Sequence, residues 1–591
     1  MIGLILFSLI LIDEVDSFPK VYELGGITVT AKRVELIPNL LIELTSEDLK
    51  SKGASTVGEA LRFIPSIYSR TGRKGENYIE ILGIEQREIV IMLDGHPIYS
   101  PYTGTADLEQ IPLDNISKIE IALPPVSLLH GANSLGGIVN IVTKKYTKSV
   151  LLGVSSGASI KSIANYGNEI GNFYYYISGG ISESDGYPLP DGTKRENSDY
   201  YKRRITGKIG WEPNTTTEFG ISFANYSSEK GIPPGFTNPR FWRFTDWKWQ
   251  YFALHGKTEL FHKIKIRGST FYDTHINTLV SYEDSTYNDT EWISDYDNNS
   301  AGAHMTASFS LGKFTTSTIG GSFKIDYVNK REDEEPWEKY KGQTVAISIQ
   351  EKIVIPSYRL HLEGEIGYDG FTGTDSRLHV INYRTGGVCF IGSENSLFFS
   401  IGKKNRFPTL KELYSPNSGN PDLLPEHSMS YQFGINLKPI KLVLFRNDVN
   451  DLIDQENRYA NWENISWARF QGLSINGRYK FLTIGYTLLD AYDEFHETLD
   501  NKAKNSANFG FNYTFNFGLD INLNVFWIDR REDGDNYLDS YTLLNANISQ
   551  RIGKFIKINL NSSNLKNEWY EDEIGYPLAG RLLGVELLVN F

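Results

Sequence analysis

Residues 146–591 alternate, and alternation over so long a stretch leaves few folds open. In Ile205-Thr206-Gly207-Lys208-Ile209-Gly210-Trp211 the odd positions are apolar or glycine and the even ones polar or glycine. Glu212-Pro213-Asn214-Thr215 then marks a turn, after which Phe219, Ile221 and Phe223 alternate with Gly220, Ser222 and Ala224. Side chains of a strand point to opposite faces with a period of two, so this pattern is a hairpin with one greasy face. A soluble sandwich would read the same way, but it has to protect the edges of two sheets; a closed barrel has no edges.

Composition narrows the choice without settling it. Hydrophobic residues make up 40% of the chain, and no run of eighteen apolar residues occurs, which argues against a bundle of membrane helices. With 35 Tyr, 32 Phe, 10 Trp and 53 Gly the chain suits a transmembrane β-barrel, whose aromatic girdles sit at the interfaces while its lumen stays polar; a large soluble sandwich or solenoid would share much of this. The net charge of −13 argues against nucleic acid as a partner. Cys389 is the one cysteine, so there is neither an internal disulfide nor a thiol pair for a metal.

Residues 46–145 are of another kind. Ile89-Val90-Ile91-Met92-Leu93-Asp94-Gly95 reads as a buried strand closed by two residues that tolerate positive φ. The pair Gly136-Gly137 precedes a second apolar strand, where missing Cβ atoms permit a bend or close approach of another backbone. Thr45 caps a helix whose first turn holds Glu47 and Asp48; Thr56, with Glu59 in capping-box reach, caps a second that Pro65 ends. Two loops stand out, the basic, Gly-rich 69–77 and the Pro- and Tyr-rich 96–104. This stretch reads as a compact α/β unit seated inside the barrel that the rest forms.

The same residues resemble a known family. Leu61-Arg62-Phe63-Ile64-Pro65-Ser66-Ile67, the Ile89 strand and residues 131–145 are similar to the plug domain of TonB-dependent outer-membrane receptors, the active transporters of siderophores, cobalamin and similar scarce solutes. A second block, Arg406-Phe407-Pro408-Thr409-Leu410-Lys411-Glu412-Leu413-Tyr414 with Gly419-Asn420-Pro421-Asp422-Leu423-Leu424-Pro425-Glu426, resembles the paired barrel motif that these receptors carry around an external loop. Haem receptors place a histidine between its halves; none lies there, which disfavours haem. The resemblance implies a barrel of about 22 antiparallel transmembrane strands, about twenty residues per strand and connection, around an N-terminal α/β plug. It divides the chain into a signal peptide at 1–17, a periplasmic coupling segment at 18–36, a plug at 37–145 and a barrel at 146–591.

Ile27, Thr28, Val29, Thr30 and Ala31 form a short alternating segment with little nearby to pair with. It reads as a disordered leader, a first plug strand, or an extended peptide for another protein's sheet edge. In position it is similar to the TonB box of cobalamin transporters, which implies a TonB-type periplasmic coupling protein as partner. The resemblance also implies a plug apex that faces the external solute, a small molecule or metal chelate, and this places Arg70, Arg73, Lys74, Asn77, Tyr99 and Tyr102 in ligand binding. The chain departs from the family where Ile81-Leu82-Gly83 and Leu123-Pro124-Pro125 replace arginine-containing plug motifs, so two arginines that would pair with barrel carboxylates are absent.

The apolar stretch 2–12 is of signal-peptide length but lacks a positive flank before it. The final alternating strand ends on Phe591 and resembles the signal read by the barrel assembly machinery; with outer-membrane lipid as surroundings, a Gram-negative outer membrane is the expected location. Outer loops are expected at 227–247, 283–300, 329–340, 455–467 and 530–539, and the acidic run Glu283, Asp284, Asp289, Glu291, Asp295 and Asp297 could hold calcium. Enzyme chemistry is not expected: HExxH, Walker and CxxC motifs are missing, the ten histidines lack metal spacing, and Gly153-Val154-Ser155-Ser156-Gly157 has no helix after it. Energy-coupled uptake is thus the leading reading, with a passive gated porin or an adhesion or phage-docking barrel as rivals.

Overall fold

The computed structural model describes residues 41–591 apart from His262 and residues 456–459. The expected leader at 1–17 and coupling segment at 18–36, with Ile27 to Ala31 in it, lie outside the described residues. Twenty-two antiparallel strands close into one barrel; the first, Lys148–Ser155, pairs with the last, Leu582–Asn590, and shuts the cylinder. No helix among the described residues is long and apolar enough to cross a membrane. The Gly153 to Gly157 stretch is the end of a strand and the turn of a hairpin, with a strand and not a helix after it.

The greasy face of each strand points outward. On the strand Tyr200–Asn214 the side chains of Ile205, Ile209 and Trp211 are exposed, and Phe219, Ile221 and Phe223 join them from Thr217–Ile232. Inward positions of the same strands, such as Lys208 and Ser222, are buried. In water this arrangement would be inside out; in lipid it satisfies every backbone group through the closed ladder while apolar side chains meet the hydrocarbon.

Connections alternate between a short-turn rim, as at 171–172, 215–216 and 438–439, and a long-loop rim, as at 185–199, 407–425 and 564–581. The strands run further than ten residues, up to 21 in Thr290–Ser310, and this shortens the outer loops. Of 227–247 only 233–240 is loop, because Ser227, Ser228 and Lys230 still pair with Lys248, Trp247 and Phe244. The same extension disperses the acidic run. Asp295 lies on a strand with Arg331 2.8 Å away, Glu291 accepts from Ser281, and Asp284 caps Thr286. Among the described residues no group of three or more His, Cys, Asp or Glu is disposed to hold a metal ion, so the calcium expectation is corrected.

Inside the cylinder the plug folds around a five-stranded sheet in the order Leu41–Thr45, Ile116–Ala122, Gly137–Thr143, Ile89–Leu93, His96–Pro97. Ile89–Leu93 and Gly137–Thr143 pair in parallel and are buried throughout. Asp94 and Gly95 turn the chain at φ 49° and 85°, and the Asp94 carboxylate accepts from the Thr143 amide and hydroxyl at 2.9 and 2.8 Å. A Cβ on Gly137 would sit 2.9 Å from the Ala122 carbonyl, which is why the strand must begin with glycine. Thr45 and Asp48 form the capping box of Ser46–Ser51. At Val57–Leu61 the box is displaced by one residue: Thr56 caps, but Glu59 accepts from the Ser55 amide. The plug core is continuous with the wall, for Tyr226, Trp249, Phe271, Phe445 and Phe470 of the barrel pack into the same apolar cluster as Ile81, Ile91 and Val139.

Candidate functional site

The functional question is what holds the plug in the lumen and what space is left beside it. Side chains from every quarter of the wall reach the plug. Asn524 donates to the Ser51 carbonyl, Ser474 and Ser66 hydroxyls meet at 2.6 Å, Glu365 accepts from the Leu128 amide at 2.6 Å, and Lys208 reaches Asp94 at 2.8 Å. Lys145 is bound by Glu218 at 2.8 Å and also contacts Glu212.

The densest group forms where the capped helix Leu410–Tyr414 follows the strand Asn395–Arg406. Arg406, 1% exposed, donates to both carboxylate oxygens of Glu426 at 2.7 and 2.6 Å and to Glu412 at 2.8 Å. From the plug, Arg87 donates to Glu412 at 2.9 Å, and Glu88 lies 3.7 Å from Arg406 with no hydrogen-bond partner on either oxygen among the described residues. Two arginines therefore face three buried carboxyls. Burial, reinforced by repulsion from Glu426, pushes the Glu88 carboxyl up to about 8, so it holds a proton at neutral pH and the cluster balances.

At the long-loop side the apex residues meet loop carboxylates. Arg70 donates to one oxygen of Glu573 at 2.8 Å and Arg73 to the other at 3.0 Å; Arg62 reaches Asp572 at 2.6 Å. Lys502 lies 3.0 Å from Glu80 and 3.3 Å from Glu85. Lys74 lies over the Trp242 ring, and Asn77 is buried, its amide donating to Asp107. Arg70, Arg73, Lys74 and Asn77 therefore stay together on the 67–81 hairpin. Tyr99 and Tyr102 are elsewhere. Tyr99 lies under Lys324, its hydroxyl pushed up to about 12 by burial, while Tyr102 is buried in a cluster with Phe407 and Leu410 and stacks near Tyr340.

Beside the plug a cavity of about 440 Å³ runs between residues 53–77 and 109–112 of the plug and the wall strands at both ends of the barrel sequence. A smaller one of about 190 Å³ lies under Tyr99, near His130, His255 and His304. Burial holds the plug's His130 at about 3, hence neutral.

Comparison with known proteins decides the family. A family model described as "TonB dependent receptor-like, beta-barrel" matches residues 180–565, and one described as "TonB-dependent Receptor Plug Domain" matches 36–138. The chain belongs to the TonB-dependent receptors. It is 23% identical to the vitamin B12 transporter BtuB of Photobacterium profundum over 94% of this chain and 93% of that one, and 21% identical to BtuB of Vibrio vulnificus strain CMCP6 over 96% and 95%. Among solved structures the receptor shares its fold with the copper transporter OprC, at a TM-score of 0.83, 14% identity and coverage of 94% and 99%. It shares it also with the siderophore receptor PiuA of Acinetobacter baumannii, at 0.77, 14%, 94% and 97%.

Although Ile81-Leu82-Gly83 and Leu123-Pro124-Pro125 carry no arginine, the plug is tied to the wall by other charges. Arg62, Arg70 and Arg87 carry plug charge to Asp572, Glu573 and Glu412. At 123–125 the direction is reversed: the wall's Arg384 donates to the Pro125 carbonyl at 3.0 Å and neutralises Glu363 and Glu365 itself. Sequence reading missed Arg87, Glu88, Asp572 and Glu573 because the partners lie hundreds of residues apart. The one local sign was a charged pair, Arg87-Glu88, directly ahead of an all-apolar strand.

Proposed function

We propose that this receptor takes up a scarce solute of the cobalamin or ferric-siderophore class across the outer membrane, with work supplied through a TonB-type partner. The observation that carries the reading is the plug itself. A folded domain sits in the lumen, tied to the wall by ion pairs on several sides, so passage of a bulky solute requires the plug to be rearranged. Breaking buried pairs costs several kcal/mol each, far above thermal energy, which favours an external pull over passive gating. The segment with Ile27, Thr28, Val29, Thr30 and Ala31 is the handle: it adds as a strand to the partner's sheet and pulls along the chain into the plug.

Solute enters from the long-loop rim. Arg73, the most exposed of the hairpin cations, and Lys74 meet it first, with Arg70 and Asn77 buried more deeply on the same hairpin; Tyr99, beside the smaller cavity, and Tyr102, in its aromatic cluster, contact it further along the path. Vitamin B12 stands in the names of relatives aligned over nearly the whole chain, and siderophores in those of structural neighbours.

The test is uptake of labelled cobalamin and of several ferric chelates by cells with the receptor, without it, and with residues 24–33 deleted. Uptake of one solute by the complete receptor, lost in both other strains, is the expected result. Uptake that persists after the deletion would show a passive porin.

A further inference from the structure

The 440 Å³ cavity has a chemical preference written into its wall. Its volume falls within the roughly 300–1,000 Å³ of small-molecule sites. It lies in the half of the lumen toward the long loops, where Arg204, Lys202 and Lys161 point inward from two neighbouring hairpins. Lys202 is engaged by Glu109, and Lys161 by Asp114 at 2.8 Å.

Arg204 is different. It is 9% exposed, and neither terminal guanidinium nitrogen has a hydrogen-bond acceptor among the described residues; the Asp114 carboxylate, already engaged by Lys161, stands 3.9 Å away. Across the ladder its partner is Gly180, and a Cβ there would lie 3.0 Å from Arg204 Nε, so the missing side chain makes room for the guanidinium. Arg195, 3% exposed and lining the same cavity, also keeps its Nε without an acceptor. Buried guanidinium groups are normally saturated, because leaving the donors unmet forfeits their hydration. A planar fork of two donors matches a phosphate or carboxylate in bidentate fashion.

We propose that this lateral cavity is an oxyanion seat, with Arg204 as its binding residue, that holds a phosphate or carboxylate group of the solute between the plug and the wall. The seat rests on the uptake reading for its purpose, but its chemistry can be tested without transport. It would favour solutes with an accessible oxyanion and give them a hold inside the lumen, beyond the apex.

The test uses the full-length receptor in detergent, titrated calorimetrically with inorganic phosphate and, separately, with citrate, so that the two oxyanions are distinguished. Saturable binding of either, weakened about tenfold or more in Arg204→Gln and unchanged in Arg377→Gln, whose exposed side chain lies on a wall strand that does not line the cavity, is the expected result. Equal affinity in Arg204→Gln and wild type, or no binding by the wild type, would overturn the seat. Should Arg204→Gln not fold, crystals of the wild type soaked in tungstate decide. A heavy-atom peak within hydrogen-bond distance of the Arg204 guanidinium supports the seat, and density elsewhere or nowhere refutes it. Because no coupling protein takes part, loss of the seat would leave the uptake reading standing, whereas TonB-independent uptake would sink that reading and leave the seat.

Discussion

In the plug, Ile89–Leu93 and Gly137–Thr143 bury every side chain. In the wall, Glu338–Ile355 exposes Val345, Ile347, Ile349 and Ile353 and turns Ala346, Ser348 and Gln350 inward. Both are strands rich in β-branched residues. The plug sheet is covered by protein on both faces and needs no period, while the wall strand separates lipid from a packed polar lumen and must alternate. Cohesion differs accordingly: apolar packing holds the plug together internally, and at the wall buried ion pairs are added to the shared apolar cluster.

That contrast is broken most severely by removing the inner body. A receptor lacking residues 41–145 should carry a large steady ion current in a planar bilayer, because a cylinder of 22 strands without its stopper is wider than an ordinary porin. The complete receptor should stay closed; comparable currents from both would break the comparison.

Next in size is Arg406→Ala. It leaves Glu412 and Glu426 buried without their shared counter-charge, and a loss of about 3–5 kcal/mol is expected in equilibrium unfolding. Replacing Arg87, Arg406, Glu412 and Glu426 together by apolar residues of similar volume should cost less than the single change, since all four members of the paired cluster go at once.

Ile347→Lys puts a charge near the middle of a lipid-facing strand and should cost about 2–4 kcal/mol. Ile141→Val, in the plug core, should cost only about 0.5–1.5 kcal/mol. A reversed order would show that the outward face of Glu338–Ile355 does not meet lipid.

Proton linkage at Glu88 sharpens the picture of the joint. Its folded value of about 8 lies above the ordinary 4.5, so the folded state keeps a proton that the unfolded chain releases as pH rises. The associated stability is present at low pH and is lost between about 4.5 and 8. From about pH 6 to 7.5 the wild type should lose on the order of 2 kcal/mol relative to Glu88→Gln, read from paired unfolding curves. Parallel curves for the two proteins would show that Glu88 carries no proton in the folded cluster.

Much of this architecture was legible before any coordinates. The hairpin at 205–224 announced its lipid face through Ile205, Ile209, Phe219 and Ile221, and Asp94-Gly95 and Gly136-Gly137 announced a turn and a close approach. Loop boundaries were not legible. Above the membrane, strands such as Phe241–Leu260 are polar and aromatic on both faces, so pairing continues after alternation has stopped. The joint between plug and wall was equally hidden. Arg87 and Glu412, or Arg62 and Asp572, are 325 and 510 residues apart, and no local pattern links them. The guanidinium of Arg204, whose terminal nitrogens have no hydrogen-bond acceptor among the described residues, reads in sequence as one more cation on a wall strand.

The central claim is that the plug seated in the lumen must rearrange before solute passes. Ser66 and Ser474 touch across the boundary at 2.6 Å, close enough for a disulfide between cysteines at the two positions in a Cys389→Ser background. Oxidation should cross-link plug to wall and bring uptake of the labelled solute down to that of cells lacking the receptor, and reduction should restore it. Undiminished uptake by the fully cross-linked protein would contradict the account.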